Sequence, residues 1–219
     1  MTRILGFWRS VVGKKVVMGA TGLIMIGFVV VHMLGNLQAF LGSEKLNAYG
    51  ALLHGPLHEV TLLLRGVLLA AVVLHIVAAV QLTRRNAAAR PQGYAKSEPQ
   101  VSTLASRTMR IGGFFLLFFI VYHIGHFTTG SFHPAFSHTG VYGNVIVGFQ
   151  SPWVVALYVT AMAFLGLHLF HGAWAGFRTL GLQKRSANPI QRTLALWVAI
   201  LVWAGFTVIP VAVLLGILN

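Results

Sequence analysis

Long apolar runs at residues 16–37, 62–82, 109–130, 153–177 and 193–217 alternate with shorter segments that hold nearly all of the chain's charge. Each run is close to the about 20 residues that an α-helix needs to cross about 30 Å of hydrocarbon. The pattern predicts five transmembrane helices in a single domain over 1–219. The fold class is all-α, with the first four helices forming a bundle. No internal repeat or low-complexity tract interrupts the alternation, and the 83–108 connection reads as a polar linker.

Composition agrees with the pattern. The 219 residues are 57% hydrophobic and 9% charged, with a mean hydropathy of +0.79, which leaves too little polar surface for a water-soluble globule. The opening MTRILGFWRSVVGKKVV places basic residues before an apolar run without a small-residue cleavage site, so it reads as a retained first helix. With no cysteine, thiolate-held iron–sulfur clusters, disulfides and covalent C-x-x-C-H haem attachment are excluded within this sequence.

The net charge of +13 is segregated by side, and does not mark a nucleic-acid partner. Fourteen of the sixteen basic residues fall in three segments: Arg3, Arg9, Lys14 and Lys15; Arg84, Arg85, Arg90, Lys96, Arg107 and Arg110; Arg178, Lys184, Arg185 and Arg192. By the positive-inside rule the N-terminus and the 83–108 and 178–192 connections are cytoplasmic. The 38–61 and 131–152 connections and the C-terminus then face outward. The 131–152 segment has no Lys, Arg, Asp or Glu and is rich in Gly, Phe and His, which predicts a packed cap.

Four of the five runs carry a histidine deep inside: His32, His75, His123 and His168. Imidazole is costly to keep in hydrocarbon, and ligation of haem iron is one reason to keep it there. Helical rise places His75 and His168 about 13–15 Å from the nearest cytoplasmic basic residue, and His123 and His32 about 20 and about 25 Å from theirs. The depths define two pairs, His75 with His168 and His32 with His123. In a four-helix bundle the partners of each pair can stand diagonally across the core. Two imidazoles fill both axial positions of a haem iron, which leaves electron transfer as the task.

Gly19, Gly22, Gly27, Gly112 and Gly113 offer room for a flat group or a neighbouring helix. For any one histidine the competing reading is an interhelical hydrogen bond. His126 and His171 lie one turn beyond two of the candidates and share their faces, either as ligands themselves or, as favoured here, as donors to haem propionates. His54, His58, His133 and His138 read as ordinary loop histidines. The acids are Glu44, Glu59 and Glu98. Glu59, beside His58, is placed to handle protons or simply to complement a helix dipole.

Four segments together resemble a known family: SVVGKKVVMGATGLIMIGFVVVHMLGNL at 10–37, YHIGHF at 122–127, the run bearing Tyr142, Phe149, Pro152 and Trp153, and LHLFHGAWAGFRTLG at 167–181. The resemblance is to the cytochrome b membrane-anchor subunit of succinate dehydrogenases and fumarate reductases, in its b558 form with five helices and two haems. It covers nearly the whole chain and is sharpest at His32-x-x-Gly35-Asn36 and His171-Gly172-x-Trp174.

The resemblance implies a respiratory-chain and tricarboxylic-acid-cycle complex in the bacterial cytoplasmic (inner) membrane. In such a complex a cytoplasmic flavoprotein subunit oxidises succinate, an iron–sulfur subunit relays the electrons, and this chain delivers them through two haems b to a quinone, expected to be menaquinone. FAD and the iron–sulfur clusters belong to the partner subunits, and this chain holds no succinate site and no catalytic residue. By matching segments the family's ligands fall on His32 and His123 for the outer iron and on His75 and His168 for the inner, where electrons would enter. The quinone is expected near the outer haem with Glu59 and His58, with the inner surface near Ser10 as a rival place. Some diheme relatives carry a membrane glutamate at the position of Gly166, so their compensating proton path is not expected here. Two alternatives to the anchor reading are a stand-alone diheme transmembrane electron carrier and a haem-free anchor or transporter.

Overall fold

A computed structural model of the protein describes residues 2–89, 103–179, 181 and 189–219. The described residues form eight α-helices and one short 3-10 turn, with no strand among them. A short helix α1 (Thr2–Arg9) precedes α2 (Val11–Leu37), which ends in the 3-10 turn Gln38–Leu41. Then come α3 (Ser43–His54), α4 (His58–Ala88), α5 (Leu104–Phe127), α6 (Val141–Gly148), α7 (Pro152–Thr179) and α8 (Pro189–Leu214). Five of these, α2, α4, α5, α7 and α8, are long and apolar enough to cross a membrane.

Several helices outrun their apolar runs at the basic ends: α2 begins at Val11, α4 continues to Ala88 and α5 begins at Leu104. Arginine and lysine are good helix formers, so the backbone ladder continues where the hydrocarbon pattern stops. The 83–108 linker is therefore helical over its first residues. Glycine ends two helices earlier than hydropathy suggests. After α5 the chain turns at Gly130 (φ +74°), and after α8 at Gly216 (φ +71°), conformations that favour a residue without Cβ. Pro152 and Pro189 open α7 and α8, where a missing N–H costs no hydrogen bond. Arg90, Lys96, Glu98, Lys184 and Arg185 lie outside the described residues.

The corner between α1 and α2 is tied by side chains. Ser10 Oγ accepts from the Gly13 amide at 2.8 Å and donates to the Phe7 carbonyl at 2.8 Å. The Lys14 ammonium turns back to donate to the Trp8 carbonyl and lies over the Trp8 ring. Replacing Ser10 with alanine removes the N-cap of α2 and should cost about 1 kcal/mol locally. The expected readout is faster amide hydrogen exchange in α1 and the first turn of α2, with the rest of α2 unchanged.

Helix α2 packs against α4, α7 and α8, while α7 packs against α5, α8 and α2. Buried small residues let the backbones approach: Ala71 and Ala78 on α4, Ala161 on α7, and Ala195 and Ala199 on α8. The outer surface is apolar, with Leu63, Ile111, Phe118 and Trp153 well exposed, as befits a protein whose solvent is lipid. The 38–61 and 131–152 connections are not bare loops. They contain α3 and α6, which pack on each other at the end of the bundle remote from most of the basic residues, the far end. Here Ala39, Leu46, Val145, Phe149 and Leu218 join one apolar cluster with Tyr158 and Ile209. Asn47 of α3 accepts the Tyr142 amide at 2.9 Å, fastening the start of α6.

Candidate functional site

Each candidate histidine sits on a different long helix: His32 on α2, His75 on α4, His123 on α5 and His168 on α7. The bundle brings them together two by two. The rings of His32 and His123 lie 5.8 Å apart between centres, and those of His75 and His168 lie 6.2 Å apart. Thr21, which contacts His75, and His32 are eleven residues apart on α2, so the pairs are separated by about 16 Å along the bundle.

Neither α2 with α5 nor α4 with α7 is among the helix pairs that pack closely. The paired imidazoles therefore meet across the diagonals of the bundle, between helices whose backbones stand apart. At the His75/His168 level the remaining two helices present glycine. A Cβ on Gly22 of α2 would lie 3.5 Å from His75 Cε1, and one on Gly113 of α5 would lie 3.9 Å from His168 Cε1. Gly112 has a different use, since a Cβ there would press on the Phe164 ring at 3.1 Å.

Local hydrogen bonds orient the rings. His75 Nδ1 donates to the Met18 carbonyl at 3.0 Å, with Thr21 Oγ1 at 3.3 Å. The Thr21 hydroxyl donates in turn to the Val17 carbonyl at 2.7 Å. With its proton on Nδ1, His75 keeps the Nε2 lone pair for a ligand. His123 Nδ1 lies 3.2 Å from the Tyr158 hydroxyl. His32 is stacked on Phe28 and flanked by Phe206, and Asn36 donates to its carbonyl at 2.7 Å. His168 Nδ1 is buried without a hydrogen-bond partner.

These features fit a haem. An imidazole nitrogen lies about 2 Å from a first-row metal it ligates and about 1 Å from its own ring centre, so two imidazoles on opposite sides of one metal have centres about 6 Å apart. Both observed pairs have that spacing. Among the described residues no three histidine or acidic side chains gather as they would around a bare ion.

Other expected residues are placed as follows. His58 and Glu59 are exposed in the first turn of α4 at the far end. Near the rival position by Ser10, a cavity of about 310 Å³ is lined by Val12, Lys15, Arg178 and Thr179. Gly166 faces α8, where a Cβ would lie 3.4 Å from Trp203 Cβ, so its lack of a side chain serves helix packing. His171 Nδ1 is buried without a partner.

Residues 83–208, more than half of the chain, match the family described as the succinate dehydrogenase/fumarate reductase transmembrane subunit. The chain belongs to this family. It is thus a membrane-anchor subunit of a succinate dehydrogenase/fumarate reductase oxidoreductase complex and works with the other subunits of that complex. The matched stretch contains His123 and His168, while His32 and His75 of the anchor subunit precede it. Comparison with curated proteins and with solved structures gave no match.

Sequence reasoning did not single out Tyr158, Thr21 or Asn144 of this anchor subunit. His133, read as a loop histidine, is buried: Nε2 donates to the Asn144 carbonyl at 2.9 Å and Nδ1 accepts the Ala135 amide at 3.1 Å. His126 is 1% exposed and ringed by Tyr122, Phe127, Phe149, Tyr158 and His133. A propionate carboxylate would be expensive to bury in that aromatic shell, which favours a hydrogen-bonding role for His126 within the protein. For Tyr158 a signal was present. A hydroxyl in the middle of an apolar run must find a partner, because lipid supplies none.

Proposed function

We propose that this anchor subunit holds two haems b, one between His32 and His123 and the other between His75 and His168, and conducts electrons from the complex's iron–sulfur subunit to a quinone, with menaquinone the expected one. The observation that carries this reading is the meeting of two imidazole pairs across the bundle diagonals, at ligating distance and between helices that stand apart. When bound, the haems supply one-electron chemistry.

The chain's own residues do the rest. His32 with His123 and His75 with His168 would hold the two haems, and an iron held by two imidazoles would serve electron transfer and not O₂ or substrate binding. The Met18 carbonyl and Thr21 hold His75 in the tautomer that presents Nε2. Gly22 and Gly113 keep the sides of the inner pair free of side chains. Apolar helices around both levels exclude water. Arg84, Arg85, Lys15, Arg178 and Arg192 give the basic end a charge that suits an acidic docking face on the iron–sulfur subunit, and by the positive-inside rule that end is cytoplasmic. Glu59 and His58, exposed at the far end, would exchange protons with a quinone bound near the outer pair.

The test is the haem-to-polypeptide ratio of the purified complex by pyridine haemochrome assay, followed by reduction with succinate. About two haems b per chain are expected, both reduced by succinate and reoxidised by a menaquinone analogue. A colourless complex that still oxidises succinate would overturn the proposal in favour of a haem-free anchor.

A further inference from the structure

We propose that Tyr158 is the positioning residue for His123, holding its imidazole in one tautomer and orientation and so setting the redox potential of the iron bound there; this rests on the haem reading above. Tyr158 is 6% exposed and lies within hydrogen-bond distance of two imidazoles, His123 Nδ1 at 3.2 Å and His126 Nδ1 at 3.0 Å. A phenol has a single proton and cannot donate to both. Ligation by His123 through Nε2 settles the order of the chain. The Nδ1 proton of His123 then donates to the Tyr158 oxygen, and the Tyr158 proton donates to His126 Nδ1. His126 carries its remaining proton on Nε2, the very atom that is buried without a partner.

A buried, partnerless Nε2 on a fully enclosed His126 is costly unless something is gained elsewhere. The gain is a polarised relay, in which each hydrogen bond strengthens the next. The relay is held from outside the site. The His126 ring packs 5.1 Å from His133, whose two nitrogens are both occupied by backbone groups of the far-end segment. Tyr158 itself is wedged between Phe119 and Phe149, with centroids 4.9 and 4.8 Å away in edge-to-face contact, so its oxygen has little freedom to leave.

An oxygen accepting from the ligating imidazole raises the ligand's basicity and favours the more positive, oxidised iron. Tyr158→Phe preserves the ring contacts and removes the acceptor. The expected result is an upward shift in one of the two haem potentials, worth about tenfold in the redox equilibrium or about 59 mV for one electron, with the other haem unmoved.

The experiment is a potentiometric titration of the purified complex, followed optically and by the low-temperature electron paramagnetic resonance signal of each haem, with haem content measured beside it. Two haems retained and both potentials unchanged in Tyr158→Phe would overturn the proposal. If that variant instead loses one haem, the His126→Leu and His126→Gln pair decides. Leucine should raise one potential and glutamine, which restores an acceptor, should return it; equal potentials in the two would overturn the proposal. Absence of haem from the wild-type complex would instead overturn the haem reading, which sets the two failures apart.

Discussion

Replacing His168 with alanine should lower the haem content of the purified complex from about two per chain to about one. His75→Ala should remove the same haem, and His32→Ala or His123→Ala the other. The grounds are geometric. His168 meets His75 at 6.2 Å between ring centres, and among the described residues no other imidazole is in ring contact with either. On the proposed reading, loss of one ring would leave an iron held there with one protein ligand in apolar surroundings. His171 lies one turn further along α7, on the same broad face but about 5 Å nearer the basic end, out of line with His75.

The missing group is small, so soluble imidazole added during purification should restore part of the lost haem to His168→Ala by occupying the truncated space. Quinone reduction by succinate should fall with the haem and return with it, whereas succinate oxidation by an artificial acceptor at the flavoprotein should not change. The assignment fails if His168→Ala retains two haems, or if only His126 or His171 variants lose one.

Much of this arrangement is legible in the sequence. Counting residues from the basic clusters places His75 level with His168 and His32 near His123, because helical rise is constant and arginines mark the membrane boundary. The diagonal placement is one that a four-helix bundle allows between its first and third and between its second and fourth helices. What stays hidden depends on rotation about the helix axes and on loop folding. Gly22, Gly27, Gly112 and Gly166 look alike in sequence. In the fold they have four separate surroundings: the His75 ring, open space, the Phe164 ring and Trp203. Likewise the 38–61 and 131–152 segments lack the length and apolar continuity of a membrane span, so hydropathy gives no sign that α3 and α6 pack on each other. Tyr158 escapes notice for a simpler reason. A tyrosine in an apolar run is counted as apolar, although its hydroxyl must be satisfied.

Substituting leucine for Gly22 should expel the inner haem without touching a ligand, while the same substitution at Gly27 should leave both haems in place. A Cβ on Gly22 meets His75 Cε1 at 3.5 Å, an ordinary contact that alanine makes without strain. Leucine adds three further carbons at a level where the helices are held apart, and overpacking of that size costs about 1–3 kcal/mol. At about 1.4 kcal/mol per decade, inner-site affinity should drop by about 5- to 150-fold. Gly27 is exposed and a Cβ there would have nothing within 4 Å, so leucine at that position crowds none of the described residues. Gly113→Leu, beside His168 on the opposite side of the pair, should act like Gly22→Leu, and Gly22→Ala should retain both haems. Haemochrome ratios and the spectrum of the remaining haem distinguish these cases. Equal haem content in Gly22→Leu and Gly27→Leu would mean that the space beside His75 is not where the flat group lies. In that event the paired histidines would have to be explained by packing between α4 and α7, which are not close enough to provide it.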